Sequence, residues 1–302
     1  MPLWIPITIF AAFCQNLRSA MQKSLKGRLD TLGAAYVRFI YALPFAAVYL
    51  ICVRAWDGGA LPAANATFLA YCLAGGVAQI LFTVVLLWLF SFRSFAVGTT
   101  FSKLEVLLIA GLGAVLLGDT VSGWALVAIL IGALGTVLLA SQDAQVSIAG
   151  LLRGLGERAT WIGLLCAALL GASVVFFRGA ALSLSPDAGF VLRAAFTLFV
   201  SLTMQTVLMG AWMAARHRGQ LVRVLCEWRV AVPVGLAGMA TSAGWFTAFT
   251  LENAAYVRAV GQIELVFTFL ASVFYFRERV TRSEVFAIVL IVAAILLILL
   301  AG

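Results

Sequence analysis

The chain has 302 residues, of which 64% are hydrophobic and 11% are charged, and its formal net charge is +8. Soluble domains average roughly 45–50% apolar and about 25% charged residues, so this composition excludes a soluble globular protein and indicates a multi-pass membrane protein. A helix needs about 20 apolar residues to cross the ~30 Å hydrocarbon layer. Runs of that length predict ten membrane helices, at about 3–22, 33–53, 66–90, 95–117, 122–140, 160–181, 188–213, 229–250, 254–276 and 283–301.

The basic residues are distributed unevenly over the loops between these helices. The loops after helices 1, 3, 5, 7 and 9 hold thirteen of them: Lys23, Lys26, Arg28, Arg93, Arg153, Arg158, Arg216, Arg218, Arg223, Arg229, Arg277, Arg279 and Arg282. The other loops hold Arg54 and Arg178. The positive-inside rule then places the thirteen in the cytoplasm and both termini on the outer side of an inner membrane. The positive charge accordingly indicates contact with anionic lipid and not with nucleic acid.

Tryptophans mark the predicted membrane interfaces. Trp245 lies well inside helix 8, whereas the other seven lie at predicted helix ends, as an interfacial belt requires. These seven are Trp4, Trp56, Trp88, Trp124, Trp161, Trp212 and Trp228.

An internal repeat becomes visible when the second half of the chain is moved back by 159 residues. FAVGTTFSKLEVLLIAGLGAVLLGDTVSGW then falls on AAYVRAVGQIELVFTFLASVFYFRERVTRS, with Glu105 on Glu264 and Lys103 on Gln262. Each copy holds five helices, an odd number, so the second copy enters the membrane in the opposite orientation. We therefore predict two inverted five-helix repeats, residues 1–145 and 146–302, with a substrate site near the midplane where the repeats meet.

Several short motifs accompany this repeat. They are an arginine and an aromatic residue at the start of helix 2, an acidic turn after helix 4, and their counterparts in the second copy: Arg38, Phe39, Leu117, Gly118, Asp119, Arg193, Phe276, Arg277 and Glu278. With the tandem five-helix units, they resemble the EamA family of the drug/metabolite transporter superfamily. The resemblance implies a ten-helix exporter-like fold with helices 1–4 and 6–9 around a central cavity. Most members of that family are taken to have both termini in the cytoplasm, whereas the loop charges here predict the reverse.

Five basic residues lie inside predicted helices: Arg18, Arg38, Lys103, Arg193 and Arg258. A charge at the centre of a membrane helix costs about 2.5–3.5 kcal/mol on insertion scales, so such residues usually face a wet or protein interior. The four arginines lie within about two helical turns of a membrane face. They either extend to the lipid headgroups or line the two mouths of a pathway.

The two matched glutamates lie deeper. At ~1.5 Å per residue, Glu105 is roughly 15 Å from the membrane face, and Glu264 reaches the same level from the other side. We expect both to face a cavity, the alternative being a buried ion pair that joins helix 4 to helix 9. In a continuous helix Lys103 and Glu105 are about 200° apart and face different ways. Lys103 would then neutralise a glutamate through a neighbouring helix or bind an anionic group at the rim.

Further polar residues complete the candidate binding and coupling set. Gln15 lies in helix 1, Gln79 in helix 3 and Gln262 in helix 9. Trp245 either packs in helix 8 or stacks on a cationic ligand.

These residues predict a secondary active transporter, exporter-like by its resemblance, for a small polar metabolite that is amino-acid-like or cationic. Alternatively the glutamates carry a coupling proton in an exporter of drugs or quaternary amines, or the protein is a passive channel or a non-transporting scaffold. The chain has no P-loop, and its one histidine, His217, leaves no catalytic constellation. We therefore expect no enzyme activity, no metal site and no cofactor, and a small-molecule substrate, membrane lipid and protons as partners.

Overall fold

The computed structural model describes residues 1–22, 25, 28–89, 92, 95–143, 148–274, 277 and 280–301. Several residues used in the loop and motif arguments lie outside this part of the chain: Lys23, Lys26, Arg93, Phe276, Glu278 and Arg279.

The described chain is helical, as its composition predicts. Its helices are α1 Trp4–Gln22, α2 Thr31–Ile40, α3 Ala42–Asp57, α4 Ala66–Leu89, α5 Phe95–Ser102, α6 Glu105–Leu117, α7 Gly123–Asp143, α8 Ile148–Arg153, α9 Arg158–Leu182, α10 Phe190–Arg216, α11 Arg218–Cys226, α12 Trp228–Leu251, α13 Ala254–Gly261, α14 Ile263–Phe274 and α15 Arg282–Ala301. The sequence did not predict α8, or α11 in the basic loop after helix 7.

Nine helical segments among the described residues are long and apolar enough to cross a membrane by length and composition. One of these segments comprises α5 and α6, a second comprises α13 and α14, and a third comprises α2 and α3. The 19-residue α1 is not among the nine, since polar residues interrupt its second half. The structure therefore supports an integral membrane protein.

Two predicted membrane helices are interrupted at matching places. Between α5 and α6, the N–H of Lys103 donates to the carbonyl of Thr100 at 3.1 Å. Between α13 and α14, the N–H of Gln262 donates to the carbonyl of Ala259 at 3.3 Å. Bonds to the third preceding residue tighten the last turn and end the α-helical ladder. The Ser102 hydroxyl also donates to the Thr99 carbonyl at 2.7 Å, a contact that often bends helices.

The break between α2 and α3 has a different cause. Pro44 has no N–H, so it cannot bond to the carbonyl of Ile40, the last residue of α2. At the other end of α6, Gly118 has φ 69° and its N–H donates to the carbonyl of Gly113. A residue with a side chain is strained at such a φ, so glycine suits the predicted acidic turn.

The helices form two compact units. Unit 1 comprises residues 1–80 and 176–252, and unit 2 comprises residues 81–175 and 253–302. Each unit takes chain from both predicted repeats, and the repeat boundary at residue 145 stays a prediction.

Unit 1 is centred on α2, α3, α10 and α12. Phe39, Leu198 and Met213 are fully buried in its core. The α1 helix packs along α12, where Gly244 lies against Ala11 so closely that an added Cβ would be 2.8 Å from the Ala11 Cβ. Arg178 donates to the carbonyls of Phe249 and Glu252 at the C-terminus of α12, where the helix dipole favours a cation.

Unit 2 depends on close contacts between small residues. The α7 helix packs along α15, with Gly135 against the Ala287 carbonyl. The α5 and α9 helices cross where Gly98 faces Gly163, and a Cβ added to Gly163 would lie 2.0 Å from the Gly98 carbonyl oxygen. Since lipid tails are as apolar as core side chains, such backbone approach is a main source of helix association in membranes.

Six of the seven predicted interfacial tryptophans are exposed at helix ends: Trp56, Trp88, Trp124, Trp161, Trp212 and Trp228. Trp4 is buried instead.

Gly163→Ala should lower the free energy of unfolding by about 2–3 kcal/mol, because its methyl group would collide with backbone that cannot rotate away. Gly111→Ala is the matched control in unit 2, since a Cβ there meets no atom of the described residues within 4 Å. Thermal unfolding of the purified protein in detergent measures both variants. Equal melting temperatures would contradict the close contact between α5 and α9.

Candidate functional site

The two helix breaks of unit 2 bring together a set of ionisable and polar side chains, which we name the charged cluster. Its members line one cavity and come from α6, α7, α13, α14 and the two breaks: Lys103, Glu105, Thr136, Arg258, Gln262 and Glu264. The cavity measures about 30 Å³, room for one or two water molecules. The sequence predicted all of these except Thr136.

Glu105 and Arg258 form an ion pair at the centre of the charged cluster. The Arg258 guanidinium donates from Nη2 to Oε1 of Glu105, and the two side chains are only 14% and 10% exposed. Arg258 also interacts electrostatically with Glu264. This pair joins α6 to α13. The sequence left open a buried ion pair between these two predicted helices as the alternative role of Glu105. The partner of Glu105 is Arg258, one of the arginines that the sequence placed near a pathway mouth.

The predicted divergence of Lys103 and Glu105 is wrong. Both side chains line the same cavity. The angle of about 200° assumed a continuous helix, whereas the chain leaves the α-helical path at Lys103 and Leu104. The change of direction at that turn brings the two residues to the same space.

The helix breaks also place the ionised groups at favourable helix ends. Glu105 lies in the first turn of α6 and Glu264 in the first turn of α14, where the helix dipole stabilises negative charge. Arg258 lies in the last turn of α13, where the dipole stabilises positive charge. Each of the three charges therefore lies at the helix end whose dipole has the opposite sign.

Two buried acceptors complete the charged cluster. Gln262 is 7% exposed and Thr136 is 5% exposed, and neither Gln262 Oε1 nor Thr136 Oγ1 has a hydrogen-bond partner within the described chain. Gly132, one turn before Thr136 on α7, leaves room for the Gln262 amide, since a Cβ there would lie 2.8 Å from Oε1. A buried acceptor without a donor is costly, so both atoms suit a ligand or water that donates.

Unit 1 contains a second polar cavity, which we name the arginine cavity. It measures about 20 Å³ and is lined by two arginines, two glutamines, two serines and five apolar or small residues: Arg18, Arg38, Phe39, Gln79, Leu198, Ser201, Leu202, Gln205, Gly238, Ser242 and Phe246. Gln205 Nε2 donates to Gln79 Oε1 and holds the two amides together. The sequence predicted Arg18, Arg38 and Gln79, but it did not single out Gln205, a glutamine in the largely apolar α10 that is 2% exposed.

Gln15 and Trp245 pair with each other in unit 1. The Trp245 indole N–H donates to Gln15 Oε1 at 2.9 Å, and its ring stacks on Phe249 with centroids 5.6 Å apart. Trp245 is 7% exposed, so a packing role accounts for it. Neither residue lines the charged cluster or the arginine cavity.

Arg193 lies in α10 of unit 1, also outside both cavities. Its Nε is buried without a hydrogen-bond partner among the described residues. The structure therefore brings Glu105, Glu264, Lys103, Gln262 and Arg258 into one site, and places the remaining predicted residues elsewhere.

Residues 156–300 match the model of the EamA-like transporter family. No curated protein sequence matches the chain. Its fold is similar to that of a protein of known crystal structure, with a TM-score of 0.72 over 99% of this chain and 97% of that chain. The two sequences are 15% identical, so the similarity concerns the fold alone.

Arg258→Gln should destabilise the protein by about 3 kcal/mol, because breaking a buried ion pair leaves a buried charge uncompensated. Glu105→Gln should cost less, since Arg258 keeps Glu264 within electrostatic reach. The double variant should be more stable than Arg258→Gln alone. Thermal unfolding in detergent measures the three variants.

The exposed pair between Arg28 and Glu227 is the control, with side chains 53% and 30% exposed. Arg28→Gln should cost at most about 1 kcal/mol. If the double variant lost as much stability as the Glu105 and Arg258 single variants together, this result would contradict a direct interaction between the two residues.

Proposed function

We propose, from the match of residues 156–300 to the EamA-like transporter family, that the chain is a secondary active transporter of a small polar, amino-acid-like metabolite. The charged cluster carries this proposal. In lipid, interrupted backbone is tolerated only where protein covers it or where it lines a cavity. Broken helices that meet near the membrane midplane are typical of substrate sites in transporters.

The charges of the cluster suit a zwitterion. Lys103 and Arg258 balance Glu105 and Glu264, so an added ligand of zero net charge preserves neutrality. The ammonium group would meet Glu264 together with the buried acceptors Gln262 Oε1 and Thr136 Oγ1. The carboxylate would bind Lys103, which is the exposed member of the cluster. A purely cationic substrate would need Lys103 to move away.

The inverted repeat is also part of the proposal. The break after Ser102 and the break after Gly261 are 159 residues apart, the same shift that aligns the two sequence segments. Matching breaks support two five-helix repeats, with α1 as the tenth membrane helix. The cavity of the charged cluster has room for water only, so we propose that substrate enters in another conformation of an alternating-access cycle.

Glu264→Gln should abolish ligand binding at the charged cluster and leave a folded protein, since Glu105 and Arg258 remain paired. A thermal-shift screen of the purified protein against amino acids, polyamines and quaternary amines identifies the stabilising class, and counterflow in proteoliposomes measures its flux. Amino acids should stabilise the protein and exchange across the membrane.

Glu284→Gln is the matched control, because Glu284 caps α15 through Thr281 in unit 2, outside the cavity, and glutamine can serve the same cap. Unchanged binding and flux in Glu264→Gln would overturn the site. Flux without saturation would favour a channel, and flux that requires a proton gradient would favour proton coupling.

We further propose that both termini lie on the outer side of the inner membrane. Cys226, an exposed thiol at the end of α11, lies in the basic loop assigned to the cytoplasm. In a Cys52→Ser background, a membrane-impermeant maleimide should label Cys226 only after permeabilisation of the cells. Cys226→Ser is the control, and labelling in intact cells would place this loop outside.

A further inference from the structure

We propose that the arginine cavity of unit 1 is a binding site for a compact soluble anion, such as chloride or the carboxylate of a small organic acid. This site is separate from the charged cluster and does not depend on the proposed transport activity.

The charge of the cavity is the first observation. Arg18 and Arg38 both line it and are close enough for their charges to repel each other. None of the described residues that line it is acidic. Two guanidinium groups that line one cavity repel each other, and an anion between them offsets this repulsion.

The remaining polar groups suit an anion as well. Ser201 and Ser242 provide hydroxyl donors at the cavity wall. The Gln79 carbonyl oxygen already accepts from Gln205, so this acceptor is occupied. Charge-assisted hydrogen bonds from guanidinium groups are roughly twice as strong as neutral ones.

The size of the cavity limits the ligand. Side chains from α1, α2, α4, α10 and α12 enclose about 20 Å³. Gly238 contributes to this enclosure, because a Cβ there would lie 3.5 Å from Arg18 Cδ. A chloride ion or a single carboxylate group suits this space, whereas the phosphodiester of a lipid, with its two substituents, does not. The site therefore selects small anions from solution.

The test is a thermal-unfolding titration of the purified protein in detergent. Chloride or acetate replaces gluconate, which is too large for the cavity, at constant ionic strength. Either small anion should raise the melting temperature saturably. Arg38→Gln should raise the half-saturating concentration by about tenfold or more, since a charge-assisted hydrogen bond is lost. Arg54→Gln, which removes the same charge from an exposed position of unit 1, should leave the titration unchanged.

Ser242→Ala keeps the net charge and tests the site if Arg38→Gln does not fold. It should raise the half-saturating concentration about threefold, as expected for one neutral hydrogen bond. A parallel titration with phosphatidylglycerol distinguishes a lipid headgroup. Stabilisation by phosphatidylglycerol alone, or by neither chloride nor acetate, would overturn the proposal.

Discussion

The ion pair between Glu105 and Arg258 is the interaction on which the site of unit 2 depends. A charge inside a bilayer is tolerated when it faces protein and has a partner of opposite charge. Glu105 and Arg258 are each other's partners. The pair connects α6 to α13, the two helices that meet at the breaks. It thereby holds the ends of α6 and α13 close together, so that Lys103, Gln262 and Glu264 share a single cavity.

The breaks themselves follow from local hydrogen bonding and are made possible by close packing around them. The Ser102 hydroxyl bonds to the Thr99 carbonyl, and the next N–H bonds tighten to the third preceding residue. Gly171 of α9 lies against the first turn of α6, where a Cβ would be 3.5 Å from the Glu105 carbonyl oxygen. Irregular backbone is thus covered by neighbouring helices, as the absence of water in a bilayer core requires.

The two cavities differ in charge, and this difference indicates different ligands. The charged cluster balances two cations with two anions, and it adds the buried acceptors of Gln262 and Thr136. The arginine cavity combines Arg18 and Arg38 with hydroxyl and amide groups. The ligands that we propose supply donors to the first cavity and negative charge to the second. Both ligand requirements follow from the rule that a buried polar group needs a partner of opposite character.

The sequence by itself determined the positions of the nine membrane-length segments among the described residues, because hydrophobicity over about 20 residues is a local property. Its repeat also identified Glu105 and Glu264, since a glutamate within an apolar helix is conspicuous. Thr136 and Gln205 escaped notice because a threonine or glutamine in a membrane helix is a weak signal. The tertiary structure decided where helices break and which charges pair. The pairing of Glu105 with Arg258, the meeting of Lys103 and Glu105, and the burial of Trp245 against Gln15 all depend on which helix faces become neighbours, and packing between distant parts of the chain sets that.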